Sequence, residues 1–318
     1  MQAAVLEAPR RFALVEKPVP EIGSTDILVR SEICGLCTSE LDIWEGKNKT
    51  IKYPRFMGHE VSGYVEAVGS RVKDFRRGDR VATYSEGQGF AQYTAVPAAW
   101  AVKIADDVPF EHALGEPIAC SINGVRKATP QLTDSVAIVG CGFMGLIMLQ
   151  AFRAAGVGLL IAIDRRESAL ELARRFGATH TINPATENPV RAVRKLTDRK
   201  GVDIGVEGAG IQQTLDLTTK LVRMEGKLEV FGFHQGKRRR VDWGYWNWMA
   251  FQIINGHTRS QHVYVEGMRI GFKMMENRQL DMEPLVTHRF PLSDINHAFE
   301  TASSKQEGFV KGVVTLNT

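Results

Sequence analysis

From residue 135 onward, short apolar runs alternate with longer amphipathic ones. SVAIVG, LLIAID, HTIN, VDIGVEG and KLEVFGF are separated by stretches such as ESALELARRF and NPVRAVRKLT, in which apolar residues recur at helical spacing. Strands alternating with helices predict a parallel sheet joined by crossover helices. The nearly unbroken apolar character of the strands predicts that both faces of that sheet are covered. Residues 1 to about 115 read differently: strand-like DILVRSEI, HEVSGYVEAVG and FAQYTAVP are broken by Gly- and Pro-containing turns such as RRGDR, as in an irregular β-rich domain. The end of the chain predicts an amphipathic helix capped near Asp294 and a last strand, KGVVTL, that can rejoin the first domain. The fold class is therefore α/β, with a second, β-rich domain.

Composition narrows the class without naming a function. The chain has 318 residues, 44% hydrophobic and 24% charged, which suits a globular protein of two domains. No apolar run reaches the ~18 residues that span a bilayer, and the N-terminus lacks the basic-then-apolar order of a secretory signal, so a cytoplasmic location without membrane attachment is expected. Forty Lys and Arg against 36 Asp and Glu leave a net charge of +4, which over this length says little about partners, and no nucleic-acid partner is expected. The one dense basic run, GKRRR at 236–240, reads as a solvated loop, with nucleic acid or a cofactor phosphate as the alternative.

The most specific local signal is VGCGFMG. Gly140, Gly142 and Gly145 form a GxGxxG with Phe143 and Met144 inside it; the motif follows a buried-type strand and opens a helix. A second strand ends in Asp164, 24 residues after Gly140. In that context the glycines allow a tight turn, a close approach to a pyrophosphate and helix–strand packing, while Asp164 accepts from the adenosine ribose. A carboxylate there favours NAD over NADP. The adjacent Arg165 and Arg166 leave NADP possible. Cys141, inside the turn, reads as a small apolar filler. Glu207, Gly208, Phe231 and Gly232 follow later strands, where an open α/β sheet binds its ligand, and are expected along the nicotinamide side.

Four cysteines, Cys34, Cys37, Cys120 and Cys141, make no disulfide framework in such a chain and point to metal or nucleophile chemistry. Cys34 and Cys37 are spaced for a redox pair, half of a structural zinc site, or one catalytic ligand beside a bystander. FMGHEVSG adds His59 and Glu60, and GEPIACSING adds Glu116 and Cys120, four residues apart on one helical face. A catalytic zinc takes about three S, N and O ligands and keeps one position open.

GLCTSE, GHE, GEPIAC and VGCGFMG, in this order, resemble the zinc-dependent medium-chain dehydrogenases, the family of alcohol, sorbitol and threonine dehydrogenases, and the resemblance runs over essentially the whole chain. It implies a GroES-like β-rich catalytic domain over residues 1–121, a Rossmann NAD-binding domain over 122–258 and a return to the catalytic domain over 259–318. It makes Cys37 the ligand and Cys34 the bystander, His59 the second ligand, Glu60 a ligand or the residue just behind the metal, and Glu116 or Cys120 the remaining candidate. GDRVATYSEGQGFAQY has none of the four cysteines of the family's structural-zinc lobe, so one zinc per chain is expected. Asp42 stands where many relatives have a proton-relaying histidine. Lys311 stands where relatives place a basic residue on the pyrophosphate.

The implied reaction is hydride transfer between a secondary alcohol, polyol or sugar alcohol and the nicotinamide, with Ser39 taking the hydroxyl proton and the cofactor ribose or Asp42 passing it on. The partner is a small alcohol or its carbonyl product, and relatives suggest a homodimer or homotetramer. Trp243, Tyr245, Trp246, Trp248 and Phe251 read as core or subunit interface, Trp44 as a possible sugar-stacking surface, and His257 as a cleft or interface residue. The alternatives are a zinc-free quinone or enoyl reductase, which would lack Cys37 and His59, and a non-catalytic NAD-binding sensor.

Overall fold

The computed structural model of the chain describes residues 1–47, 50–234 and 238–317. Gly236 and Lys237 of the basic run lie outside the described residues; Arg238 and Arg240 are exposed and Arg239 is half-buried. In chain order the elements begin with β1 (Gln2–Ala8), β2 (Arg11–Glu16), β3 (Asp26–Gly35), α1 (Thr38–Trp44), β4 (Arg55–Phe56), β5 (Glu60–Val68), β6 (Arg80–Tyr84), β7 (Tyr93–Pro97), β8 (Ala101–Lys103) and α2 (Gly115–Ala128). Then come β9 (Ser135–Val139), α3 (Phe143–Ala154), β10 (Leu159–Ile163), α4 (Glu167–Arg175), β11 (His180–Ile182), α5 (Pro189–Leu196), β12 (Val202–Glu207), α6 (Gln212–Leu221), β13 (Val222–Val230), α7 (Trp243–Trp248) and β14 (Gln252–Asn255). The chain closes with α8 (Gln261–Glu276), β15 (Val286–Pro291), α9 (Ile295–Ser304) and β16 (Lys311–Thr315). Among the described residues no helix is long and apolar enough to cross a membrane.

Two compact units result. The first comprises Met1–Ala119, Ser260–Glu276 and Met282–Thr318; the second comprises Cys120–Arg259 and Asn277–Asp281. In the first unit, β16 pairs parallel with β15 and antiparallel with β3, in the sheet order β15-β16-β3-β5-β6-β8. The last strand thus returns to the first domain's central strand. Its core centres on the side chains of Trp44, Phe90 and Phe299, whose rings lie within 5.6–5.9 Å of one another where Phe299 meets the other two. Trp44 is only 1% exposed. It therefore belongs to this core and offers no face for a sugar, which corrects the stacking role suggested for it. Asp294 does sit at the start of α9, but its side chain makes no capping bond.

In the second unit, the described strands form a parallel sheet of order β11-β10-β9-β12-β13-β14. The strands of SVAIV and LLIAI are buried along four of five residues, as a sheet covered on both faces requires. The crossover helices follow their sequence signals: α5 starts with Pro189 behind Asn188, whose side chain accepts from the Arg191 amide. The chain order reverses between β9 and β12, and the registers Val139↔Ile163, Val139↔Glu207 and Val230↔Glu207 align the carboxyl ends of the four central strands. Such a reversal is where an open α/β sheet binds its ligand. The sixth strand, β14, is short and polar at its ends, and no apolar run announces it.

One buried group in this unit is unusual. Glu229, the penultimate residue of β13, is fully buried, and neither carboxylate oxygen has a hydrogen-bond partner among the described residues. Burial pushes its pKa up from 4.5 to about 8 against a smaller opposing pull from Lys127 on α2. The folded protein then holds a proton that the unfolded chain releases near 4.5. This contribution is complete below pH 4.5, is lost progressively as pH rises through about 8, and amounts to a few kcal/mol. Urea titrations of wild type and Glu229→Gln across pH 5–9 check this: the wild type should lose stability with rising pH relative to the variant, and parallel curves would refute a buried neutral acid.

Candidate active site

The first unit gathers its chemistry through the pairing of β3 with β5. The register Cys34↔Val61 sets the end of β3 beside the start of β5. Cys37, just beyond β3, and His59 and Glu60, at the start of β5, consequently meet. One ligand atom from each of the three lies within 4.8 Å of the others. Cys37 occupies the N-terminal cap of α1, and its Sγ lies 3.1 Å from Ser39 Oγ.

Each of the other two is held by a charged neighbour. His59 Nδ1 lies 3.2 Å from Glu40 Oε1, the same oxygen that accepts the Gly58 amide at 2.6 Å. With Nδ1 turned to a carboxylate, Nε2 is the nitrogen left to face a ligand. Burial disfavours the imidazolium, but the charges of Glu40 and Cys37 outweigh it and hold the pKa well above the ordinary value. Glu60 Oε1 accepts from Lys311 Nζ at 2.8 Å, and the ammonium also donates to the Leu36 carbonyl at 2.8 Å. Nζ also comes within 2.6 Å of Glu60 Oε2 as an ion-pair contact, and no hydrogen bond among the described residues reaches this buried oxygen. Lys311 is itself buried. Burial works against its charge, but Glu60 and Cys37 together raise its pKa.

This close approach depends on Gly35. A Cβ there would fall 2.0 Å from Glu60 Oε2 and 3.1 Å from Lys311 Cε. Glycine at position 35 lets side chains from the two strands flanking β3 meet over it.

A thiol, an imidazole and a carboxylate oxygen without a hydrogen bond, gathered in a partly buried and negatively biased spot, are the donor set of a zinc ion. The residues fit that metal. Cys34 takes no part: it is fully buried in the core, and burial, followed by the charges of Glu40 and Glu60, holds its thiol far from ionisation. Glu116, in the first turn of α2, lies with Oε2 4.0 Å from His59 Nε2, at the margin of the group. Cys120, one turn further along the same helix, is buried and belongs to the second unit.

Two expectations change. Lys311 commits its ammonium to Glu60 and a carbonyl within its own unit instead of a pyrophosphate. Asp42 turns its carboxylate to Lys47, 3.2 Å away. Two neighbours went unnoticed in the sequence. Glu40 orients His59, and its signal was the Glu in GLCTSE. Tyr84 lies 6.5 Å from the His59 ring, stacks on Tyr264 at 5.2 Å and meets Trp100 at a tilt at 5.9 Å, a grouping no local pattern announces.

In the second unit the glycine turn takes the geometry its spacing calls for. Gly140 has φ +104°, and its Cβ would meet the Ala209 amide nitrogen at 3.0 Å. A Cβ on Gly145 would lie 2.2 Å from the Gly140 carbonyl oxygen, so α3 packs directly on the strand. Gly142 is the N-cap of α3 and carries no capping side chain, while Phe143 and Met144 open the helix. Asp164 Oδ2 accepts the Cys141 amide at 2.9 Å and Oδ1 accepts the Arg166 amide at 2.9 Å, with Arg166 Nε 3.2 Å away. Arg166 thus overlies the carboxylate, and Arg165 is exposed. Cys141 is a buried filler whose thiol burial keeps protonated.

Gly208, Phe231 and Gly232 lie at the carboxyl edge as expected, with Phe231 stacked on His257 at 6.0 Å. Glu207 does not face a ligand. Its carboxylate accepts from the Ala209 and Gly210 amides, from Thr214 and from His234, so it holds the turn.

Comparison with known proteins agrees with this division. Residues 23–106 match the alcohol dehydrogenase GroES-like domain, and residues 144–266 match the zinc-binding dehydrogenase domain. The chain is 28% identical to the L-threonine 3-dehydrogenase of Shewanella sp. (strain MR-7), over 96% of this chain and 97% of that one. It is also 28% identical to the sorbitol dehydrogenase of Bacillus subtilis (strain 168), over 100% and 98%. The solved galactitol-1-phosphate dehydrogenase of Escherichia coli superposes with a TM-score of 0.87 at 25% identity, covering 99% of this chain and 100% of that one.

Replacing Lys311 tests the buried pair. Lys311→Met should destabilise the metal-free protein by about 3–5 kcal/mol, because it leaves the Glu60 carboxylate buried without its counter-charge. Glu60→Gln combined with Lys311→Met should recover much of that loss. Chemical denaturation measures both, and a single variant within 1 kcal/mol of wild type, roughly the value of an exposed pair, would contradict the burial argument.

Proposed function

We propose that this chain, an oxidoreductase that belongs to the zinc-dependent medium-chain dehydrogenase family, oxidises a secondary alcohol of the polyol or sugar-alcohol class with NAD and reduces the corresponding ketone in reverse. The observation that carries the reading is the meeting of Cys37, His59 and Glu60 within 4.8 Å in the first unit. The glycine turn at Gly140, with Asp164 at the end of the neighbouring strand, supports a nicotinamide dinucleotide as the second reactant.

Cys37 and His59 would hold the zinc, with Glu60 or Glu116 as the oxygen donor. Bound there, zinc supplies Lewis acidity that lowers the pKa of the substrate alcohol. The chain's own residues do the rest. Glu40 keeps His59 Nε2 directed at the site by accepting on Nδ1. Ser39, beside Cys37, takes the hydroxyl proton. Asp42 faces Lys47, which turns its carboxylate away from relaying that proton. Lys311 balances the negative charge of Glu60 and so moderates the charge presented to an incoming cation. A nicotinamide dinucleotide held at the glycine turn would supply the hydride acceptor, and oxidation of the alcohol would release one proton for each hydride removed.

The polyol class is supported by the named relatives, which act on threonine, sorbitol and galactitol 1-phosphate, all bearing secondary alcohols. The half-buried Tyr84 beside His59, with the half-buried Trp100 next to it, supports aromatic contact with sugar C–H groups. Cofactor choice rests on Asp164, whose carboxylate repels a 2′-phosphate, tempered by Arg166 lying on it. The same reading makes the protein a cytoplasmic homodimer or homotetramer; the exposed Trp243 and Trp248 of α7 support an apolar contact surface.

Two sets of variants test the proposal. Cys37→Ala and His59→Ala should each lose bound zinc, measured by elemental analysis, and lower turnover of a polyol panel by at least about a hundredfold, while NADH binding followed by fluorescence stays as in wild type. Unchanged turnover would remove metal-assisted hydride transfer. Asp164→Ala should weaken NAD by roughly tenfold, as expected for loss of a charge-assisted hydrogen bond, and improve NADP relative to NAD. An unaltered NAD/NADP ratio of kcat/KM would undo the assignment of Asp164.

A further inference from the structure

We propose that His234 and Arg239 are positioning residues for the nicotinamide end of the cofactor, because with Glu207 and Gly210 they close a ring of hydrogen bonds that locks the turn after β12 to the segment after β13. The proposal rests on the nicotinamide reading above and adds to it His234 and an arginine of the basic run that the sequence reads as a solvated loop.

The ring can be followed atom by atom. Glu207 Oε2 accepts from His234 Nε2 at 2.8 Å, and His234 Nδ1 accepts from Arg239 Nε at 3.0 Å. Arg239 Nη2 donates to the Gly210 carbonyl at 2.9 Å, and the Gly210 amide donates to Glu207 Oε1 at 2.8 Å. A guanidinium has donors and no acceptor, so Nδ1 facing Arg239 carries no hydrogen and Nε2 must carry it. The network therefore fixes the tautomer. The imidazole sits between a fully buried carboxylate and a half-buried guanidinium, with both ring nitrogens and both carboxylate oxygens hydrogen-bonded.

What the ring holds is the floor of the edge. Besides Gly210, Glu207 Oε1 takes the Ala209 amide at 2.9 Å and the Thr214 hydroxyl at 2.5 Å. The backbone carbonyl of Glu207 takes the amides of Phe231 and Gly232 at 3.0 and 2.7 Å. A Cβ on Gly232 would fall 2.2 Å from the Gly210 nitrogen, so the two segments touch backbone to backbone and tolerate no shift. On its other side Ala209 abuts the glycine turn at Gly140.

The strand order decides which end of a dinucleotide this floor serves. Asp164 ends β10 on one side of β9, and the ring lies at the ends of β12 and β13 on the other side. A pyrophosphate on the turn after β9 with its adenosine ribose toward Asp164 leaves only β12 and β13 for the second nucleoside. Residues that move those turns by a fraction of an ångström then alter nicotinamide binding without touching the adenosine half.

Binding of NADH and of ADP-ribose, which lacks the nicotinamide, separates positioning from general loosening. His234→Leu and Arg239→Met should each weaken NADH about tenfold, the effect of breaking a hydrogen bond to a charged group, and leave ADP-ribose within about twofold. His234→Gln should retain NADH affinity, because its amide can donate to Glu207 and accept from Arg239. The double variant should be no weaker than either single one, as residues of one network are not additive. NADH affinity unchanged in both single variants, or equal losses for NADH and ADP-ribose, would overturn the assignment; Arg239→Met, at the outer end of the ring, carries the test if His234→Leu does not fold. Wild-type protein that binds ADP-ribose but not NADH would overturn the nicotinamide reading itself, and the positioning role with it.

Discussion

The site in the first unit depends on one strand. β3 has β5 on one side and β16 on the other, and its last residue, Gly35, has no side chain. Glu60 from β5 and Lys311 from β16 meet over that gap, 251 residues apart in sequence and 2.8 Å apart in space. Cys37 follows two residues after Gly35, and His59 stands just before β5. The antiparallel register therefore sets the thiol, the imidazole and the carboxylate together, and the absence of a Cβ at one position lets a lysine balance the charge. A one-residue slip of β3 against β5 would turn every one of these side chains to the opposite face.

Charge explains why this cluster suits a cation. Cys37, Glu40, Glu60 and Glu116 bring acidic groups around His59, and Lys311 is the buried base that answers Glu60. The field is strong enough to raise the pKa of His59 in spite of its burial. Buried ion pairs add little net stability, so their retention here is better understood as a way of holding donor atoms in one arrangement.

The second unit uses a different device. Its chemistry stands at the carboxyl ends of four aligned parallel strands, where backbone amides and short turns do the binding. Glycines at 140, 145, 210 and 232 allow these turns to touch, and a buried acid, Glu207, ties them through its oxygens. Glu207 and Glu229 show how the groups within reach decide the state of a buried carboxylate. Glu207, the last residue of β12, meets amides, a hydroxyl and an imidazole. Glu229, one residue short of the end of β13, meets none among the described residues, and it keeps a proton instead.

The sequence by itself determined what local pattern can carry: the alternation of apolar runs and amphipathic helices that makes the parallel sheet, the glycine spacing that makes the turn, Asp164 at the end of the second strand, and the residue types of the metal-like group. Each follows from contacts within a few residues, or from a motif whose spacing reflects one turn of chain. Tertiary structure alone decided which long-range partners those residues meet. That Lys311 serves Glu60, that Glu207 closes a turn with His234 and Arg239, that Trp44 is core, and that Tyr84 stands beside His59 all depend on strand register and on the room left by glycines far away in sequence. Hydrogen bonds and charge pairs act over a few ångströms, and only the folded chain brings residues hundreds of positions apart within that reach.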